Sequence, residues 1–123
     1  MNDNDLEALL SLDGASFEMA EGYIIEFEAK RVEPTPAKPH GLDYALVFRQ
    51  KDGKPCVRFD NSHSVRRRGG RYVKRSLAYD HWHRDERDKG RPYAYSSAVK
   101  LLEDFWREVK RVLDKKGIPN DLP

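Results

Sequence analysis

The sequence predicts an α+β fold: an antiparallel sheet of about four to five strands, a long C-terminal helix packed on one face, and a short N-terminal helix. Three observations carry this. Residues 23–33 and 42–48 alternate apolar and polar or apolar and small, the period-two spacing of strands. Lys51-Asp52-Gly53-Lys54 joins two extended runs through an Asp-Gly pair, which accepts the positive φ angles of a tight hairpin. Ala98, Leu101, Leu102, Phe105, Val109, Val112 and Leu113 instead recur at helical spacing and make one apolar stripe, which must be buried on the sheet.

The elements follow in order. Residues 3–13 read as a helix capped by Asp3 or Asn4, with Leu6, Leu9 and Leu10 on one face and Gly14 at its end. Phe17 and Met19 alternate ahead of Glu21-Gly22, which predicts a hairpin into the strand whose inner face is Tyr23, Ile25, Phe27 and Ala29. Three prolines within residues 34–40 exclude regular structure and make a stiff loop. In the next strand Leu42, Tyr44, Leu46 and Phe48 share one face while Ala45 and Val47 line the other, so it is central. Residues 55–61 pair back across the Asp-Gly turn, with Val57 and Phe59 inward and Arg58 and Asp60 turned the other way. An irregular basic loop over 61–70, a weakly patterned strand within 71–83 and a polar turn over 84–92 come next. Ser96 or Ser97 caps the last helix, of about residues 97–116. Lys115 and Lys116 suit its dipole, Gly117 ends it and Pro119 prevents its continuation.

A chain of 123 residues is expected to be one domain, 1–123, able to bury a modest core without disulfides or metal. No apolar run approaches the roughly 20 residues that span a bilayer. The acidic start, MNDNDLEALL, argues against a secretory or organellar leader. The single cysteine, Cys56, cannot form an internal disulfide and reads as a small strand residue, which favours a cytoplasmic location. Charge is unevenly spread. Residues 1–33 hold nine acids and two bases, whereas residues 54–91 hold twelve bases and five acids. A basic middle points to a polyanionic partner, with nucleic acid first.

That middle segment, residues 58–91, also holds three of the four histidines. His81 and His83 are spaced i, i+2, so in an extended chain they share a face, with Trp82 on the other. Asp60 and His63 come from the end of the neighbouring hairpin strand. Three readings of the cluster stand side by side. Metal-independent cleavage of RNA needs a base for the 2′-hydroxyl, an acid for the 5′-oxygen and cations on the phosphate. His63, His81 and His83 with Asp60 offer the catalytic groups. Arg58, Arg66, Arg67, Arg68, Arg71 and Lys74 offer phosphate contacts, and Tyr79 and Trp82 offer stacking surfaces. Alternatively, His-x-His with a carboxylate from another strand can hold a divalent ion in a metal-dependent phosphodiesterase, although no longer ligand signature accompanies it. The third reading is nucleic-acid or ribosome binding without chemistry. No cofactor motif is present, so the favoured reading requires no cofactor and no metal.

The same residues carry a family resemblance. Arg58-Phe59-Asp60-Asn61-Ser62-His63 fits an R/Y-x-D-N-x-H hairpin-end motif, and Asp80-His81-Trp82-His83 followed by RPY precedes the helix LLEDFWREVKRVL. Over about residues 22–115 the chain resembles the TumE-type toxins of bacterial type II toxin–antitoxin systems. The resemblance implies a growth-inhibiting toxin neutralised by a helix-turn-helix antitoxin protein encoded nearby. RNA is the expected target, no membrane partner is expected, and a homodimer is left open.

Overall fold

The structure, a computed structural model, describes residues 3–36, 38–61, 80–85 and 87–120. Its six strands form one antiparallel meander in chain order: β1 (Ser16–Glu18), β2 (Ile24–Arg31), β3 (Leu42–Arg49), β4 (Pro55–Asp60), β5 (His81–His83) and β6 (Arg91–Pro92). Helix α1 (Asp3–Leu10) precedes the sheet and α2 (Ala98–Lys115) follows it.

Register explains the core. Ile25, Phe27 and Ala29 of β2 stand opposite Phe48, Leu46 and Tyr44 of β3, and Phe48 and Leu46 stand opposite Val57 and Phe59 of β4. All of these project to one face. Helix α2 lays Leu101, Phe105, Val109, Val112 and Leu113 on it, and Leu9 of α1 joins the same cluster. Phe105 packs edge-on against Phe27 and Phe59, with ring centroids 5.7 and 6.1 Å apart. Burying each such side chain contributes about 1.5–3 kcal/mol, far more than helix propensity could. The predicted stripe is therefore what docks the helix.

Local chemistry sets the ends of α2. Ser97 Oγ accepts the Lys100 N–H at 3.2 Å, a side-chain N-cap. At the other end the Ile118 N–H donates to Leu113 O (2.9 Å) and the Gly117 N–H to Asp114 O (3.0 Å). Gly117 has φ 72°, so the helix closes in a Schellman motif around the glycine.

Three features depart from the sequence expectation. The sheet has six strands rather than four to five, because Arg91–Pro92 folds back on β5 within the stretch predicted as turn. Two residues cannot show a period, and Pro92 costs no ladder bond at a sheet edge. Helix α1 ends at Leu10 rather than residue 13. There Asp13 accepts the Ala29 N–H (3.1 Å) and the Gly14 N–H donates to Phe27 O (2.8 Å), so the chain docks on β2 instead of adding a helical turn. Finally, pairing shifts between Phe48↔Val57 and Arg49↔Pro55. Cys56 is the extra residue of this bulge, which is why Cys56 and Val57 are buried in succession.

Candidate functional site

Alternation along β4 turns Val57 and Phe59 toward α2, and Arg58 and Asp60 away from it. β5 pairs with β4 so that Arg58 faces His83, Phe59 faces Trp82 and Asp60 faces His81. Arg58, Asp60, His81 and His83 thus form a two-by-two block on the face opposite α2, with facing Cβ atoms about 5 Å apart. The block has a depth gradient. Asp60 and His81 are 0% and 3% exposed, while the Arg58 side chain is 31% exposed and His83 is half-buried.

The buried half is an ionic cluster. Arg58 Nε pairs with Asp60 Oδ2. On the other side His81 Nε2 lies 3.1 Å from Asp60 Oδ1. That approach is off hydrogen-bond alignment, and Oδ1 makes no hydrogen bond among the described residues. A buried carboxylate needs cations beside it. Arg58 is one at every relevant pH, and His81 becomes one when protonated.

The half-exposed His83 has a defined tautomer. Its Nδ1 lies 2.8 Å from Asp88 O. A carbonyl can only accept, so Nδ1 carries the hydrogen and the neutral ring keeps its lone pair on Nε2. The His81 and His83 rings meet edge-on, 5.2 Å between centroids. Gly90 closes the space behind them. Its φ of 119° disfavours any side chain, and a Cβ there would sit 3.3 Å from His83 Cε1 and 3.5 Å from His81 Cδ2.

Asp88 builds the turn that does this. Its Oδ2 accepts the Arg84 N–H (3.0 Å) and Arg91 Nε (2.6 Å), and its Oδ1 accepts the Gly90 N–H (2.9 Å). Burial raises the carboxyl pKa, but the two backbone N–H groups and the Arg91 guanidinium outweigh it and hold the group at about 2, below its ordinary 3.8. The depressed value means that these bonds stabilise the turn fully above about pH 4, and that this stabilisation is lost as pH falls toward 2. Amide protection at Arg84 and Gly90, the slowing of exchange relative to an unstructured peptide at the same pH, is therefore expected to stay high at pH 5–7 and to fall below pH 4, ahead of that of the core amides of β2 and β3. A uniform fall across the sheet would contradict it.

Asn61, named in the sequence only as part of the hairpin-end motif, continues the sheet past β4. Its Nδ2 donates to Leu42 O (2.8 Å), its Oδ1 accepts the Tyr44 N–H (3.0 Å), and its own N–H donates to Tyr44 O (3.2 Å). The residue is 2% exposed. Asn61→Ala strands a buried donor and a buried acceptor, so it is expected to cost about 2 kcal/mol in chemical denaturation. A cost below about 0.5 kcal/mol would contradict this role.

Trp82 points the other way. It stacks on Phe59 (centroids 5.3 Å, 17° between planes) with the Arg91 guanidinium 5.5 Å over its ring, and so is separated from the histidines. Asp80 also leaves the block. Its Oδ2 accepts the Tyr44 hydroxyl at 2.9 Å, and burial raises its pKa more than that bond lowers it. His40 is exposed, its ring 4.4 Å from Tyr95. His63, Arg66, Arg67, Arg68, Arg71, Lys74 and Tyr79 lie outside the described residues, as do residues 71–79 of the weakly patterned strand. Of the predicted site, four residues are therefore brought together, one is placed apart and seven are not described. Asp88 and Gly90, which shape the histidine pair, were not singled out by sequence reasoning. The only signal was a polar turn following His-x-His.

Among the described residues, no three His, Cys, Asp or Glu side chains group as a metal site would require, and no helix is long and apolar enough to cross a membrane. No curated protein and no solved structure matches the chain. One family model does match, Toxin TumE, over residues 5–113, which include most of α1 and the whole sheet. With that span covering most of the 123 residues, the chain belongs to the TumE toxin family.

Proposed function

We propose that this toxin cleaves RNA by metal-independent transesterification, with His83 transferring the proton and Arg58 holding the phosphate. The observation that carries the reading is the pairing of a half-exposed imidazole, its Nε2 left as acceptor by the Asp88 carbonyl, with a half-exposed guanidinium directly across the strand pair. In the proposed step the 2′-oxygen attacks phosphorus while its proton passes to His83 Nε2. The bond from phosphorus to the 5′-oxygen breaks, and that oxygen takes a proton from a second histidine. The products are a 2′,3′-cyclic phosphate and a 5′-hydroxyl. His63, two residues past Asn61 in sequence, is assigned the acid role. Arg58 meets the phosphate oxygens, its planar donors matched to their geometry. The Asp60–His81 pair fixes Arg58 and the His83 ring rather than reaching substrate, in keeping with its burial. Arg66, Arg67, Arg68, Arg71 and Lys74 are assigned to the RNA backbone and Tyr79 to base stacking.

Induced expression tests this in cells. The wild type is expected to arrest growth and fragment RNA, and His83→Asn to do neither. Growth arrest with intact RNA would overturn the cleavage reading. A toxin also requires an antidote, and a helix-turn-helix protein encoded beside it is the expected partner. Its co-expression should restore growth.

One observation favours a second reading, RNA binding without cleavage. Asp60 and His81, the only close carboxylate–imidazole pair among the described residues, are buried away from any substrate. That reading predicts salt-dependent binding and full-length RNA at every protein concentration.

A further inference from the structure

A second basic feature lies outside the histidine block. Where the C-terminal end of α2 meets the turn after β5 and the β3–β4 hairpin there is a cavity of about 330 Å³. Four cations line it: Arg84, Arg111, Lys115 and Lys116. Asp85 is the one carboxylate in its wall. Its apolar lining includes Cys56 and Val112, both nearly buried.

The helix dipole accounts for Lys115 and Lys116, since cations are favoured at a C-terminus. It does not account for Arg84, which comes from another element. The fold draws that residue in: Arg111 Nη2 donates to Arg84 O at 3.0 Å, and Asp88 accepts the Arg84 N–H. Arg111 also pairs with Glu108 through Nε (2.6 Å), which fixes the guanidinium stem. Glu108 balances Arg111 and Asp85 one further cation, which leaves two of the four positive charges around the hollow unmatched. An anion in the hollow would match them.

Position indicates which anion. His83 is the last residue of β5 and Arg84 the next, so the cavity begins at the residue that follows the proposed reacting one, round the end of β5 on the side where α2 packs. We infer that this cavity is a subsite for the RNA backbone: it takes a phosphate of the nucleotides flanking the cleaved bond, with the sugar over Val112 and Cys56. The inference rests on the RNA reading of the histidine site and extends it. A strand held by Arg58 and His83 rounds the end of β5 and places its next phosphates among Arg84, Arg111, Lys115 and Lys116.

Binding of a fluorescent single-stranded RNA to the full-length toxin, followed by anisotropy over a series of salt concentrations, tests it. His83→Asn serves as the non-cleaving parent. Adding Lys115→Gln and Lys116→Gln is expected to weaken binding several-fold and to flatten the log–log salt slope by about 0.7 for each cation that meets a phosphate. Both side chains are exposed, so the melting temperature should not move. Adding Arg111→Gln instead should weaken binding at least as much. An unchanged affinity and slope for the double-lysine variant would overturn the subsite while leaving the RNA reading intact. No RNA binding by the parent at low salt would overturn both. Displacement of the RNA by polyglutamate at matched charge would also overturn it, and would point to an acidic protein as the occupant.

Discussion

Replacing His83 with asparagine is expected to lower RNA cleavage by about 10²–10⁴-fold, the range attached to one positioned proton-transfer group. Asparagine is the informative substitution. Its amide nitrogen falls near the position of Nδ1 and can still donate to Asp88 O, while Nε2 is removed. The turn and its contacts therefore survive, and the melting temperature should change by no more than a surface substitution allows, about 0.5 kcal/mol in stability. Loss of cleavage with an unchanged fold assigns the proton transfer to Nε2. Cleavage at the wild-type rate would remove His83 from the mechanism. Loss of both fold and cleavage would show that the ring acts through packing on Gly90 and His81.

Asp60→Ala carries the largest expected loss of stability, about 3 kcal/mol, the lower end for removing one member of a buried ion pair. The figure is kept low because Arg58 is 31% exposed and recovers part of its hydration. For a chain of this length it corresponds to a fall in melting temperature of roughly 10 °C. The loss comes mainly from what stays behind: Arg58 without its carboxylate, and His81, 3% exposed, facing an empty space. A combined replacement, Asp60→Leu with Arg58→Met and His81→Phe, should recover most of the stability, since removing a whole buried ionic cluster is often neutral. It should not recover cleavage, because Arg58 is gone. A stable Asp60→Ala would contradict the cluster described for this face.

The sequence made one half of each strand pair legible. Alternation along 55–60 placed Arg58 and Asp60 opposite Val57 and Phe59, and His-x-His placed His81 and His83 together with Trp82 opposite. Both arrangements are in the structure. The register that unites them was not legible. It joins residues about twenty positions apart and depends on core packing, with Phe59 on Trp82, rather than on any local pattern. Asn61 gave no signal of this role for a related reason. An amide that completes a ladder looks, in sequence, like one that caps a turn. Asp88 and Gly90 were hidden inside a run of polar residues whose value lies in backbone bonds. Lys115 and Lys116 of α2 were read only as suiting the helix dipole, because nothing in a helical stripe shows that Arg84 folds against it.

Analysis of the ends of the cleaved RNA tests the central claim most directly. Purified toxin incubated with a defined RNA in excess chelator should yield fragments ending in 2′,3′-cyclic phosphate and beginning with 5′-hydroxyl, and the His83→Asn protein should leave the RNA whole. Fragments with 3′-hydroxyl and 5′-phosphate ends, or cleavage that chelator abolishes, would contradict transesterification by these histidines.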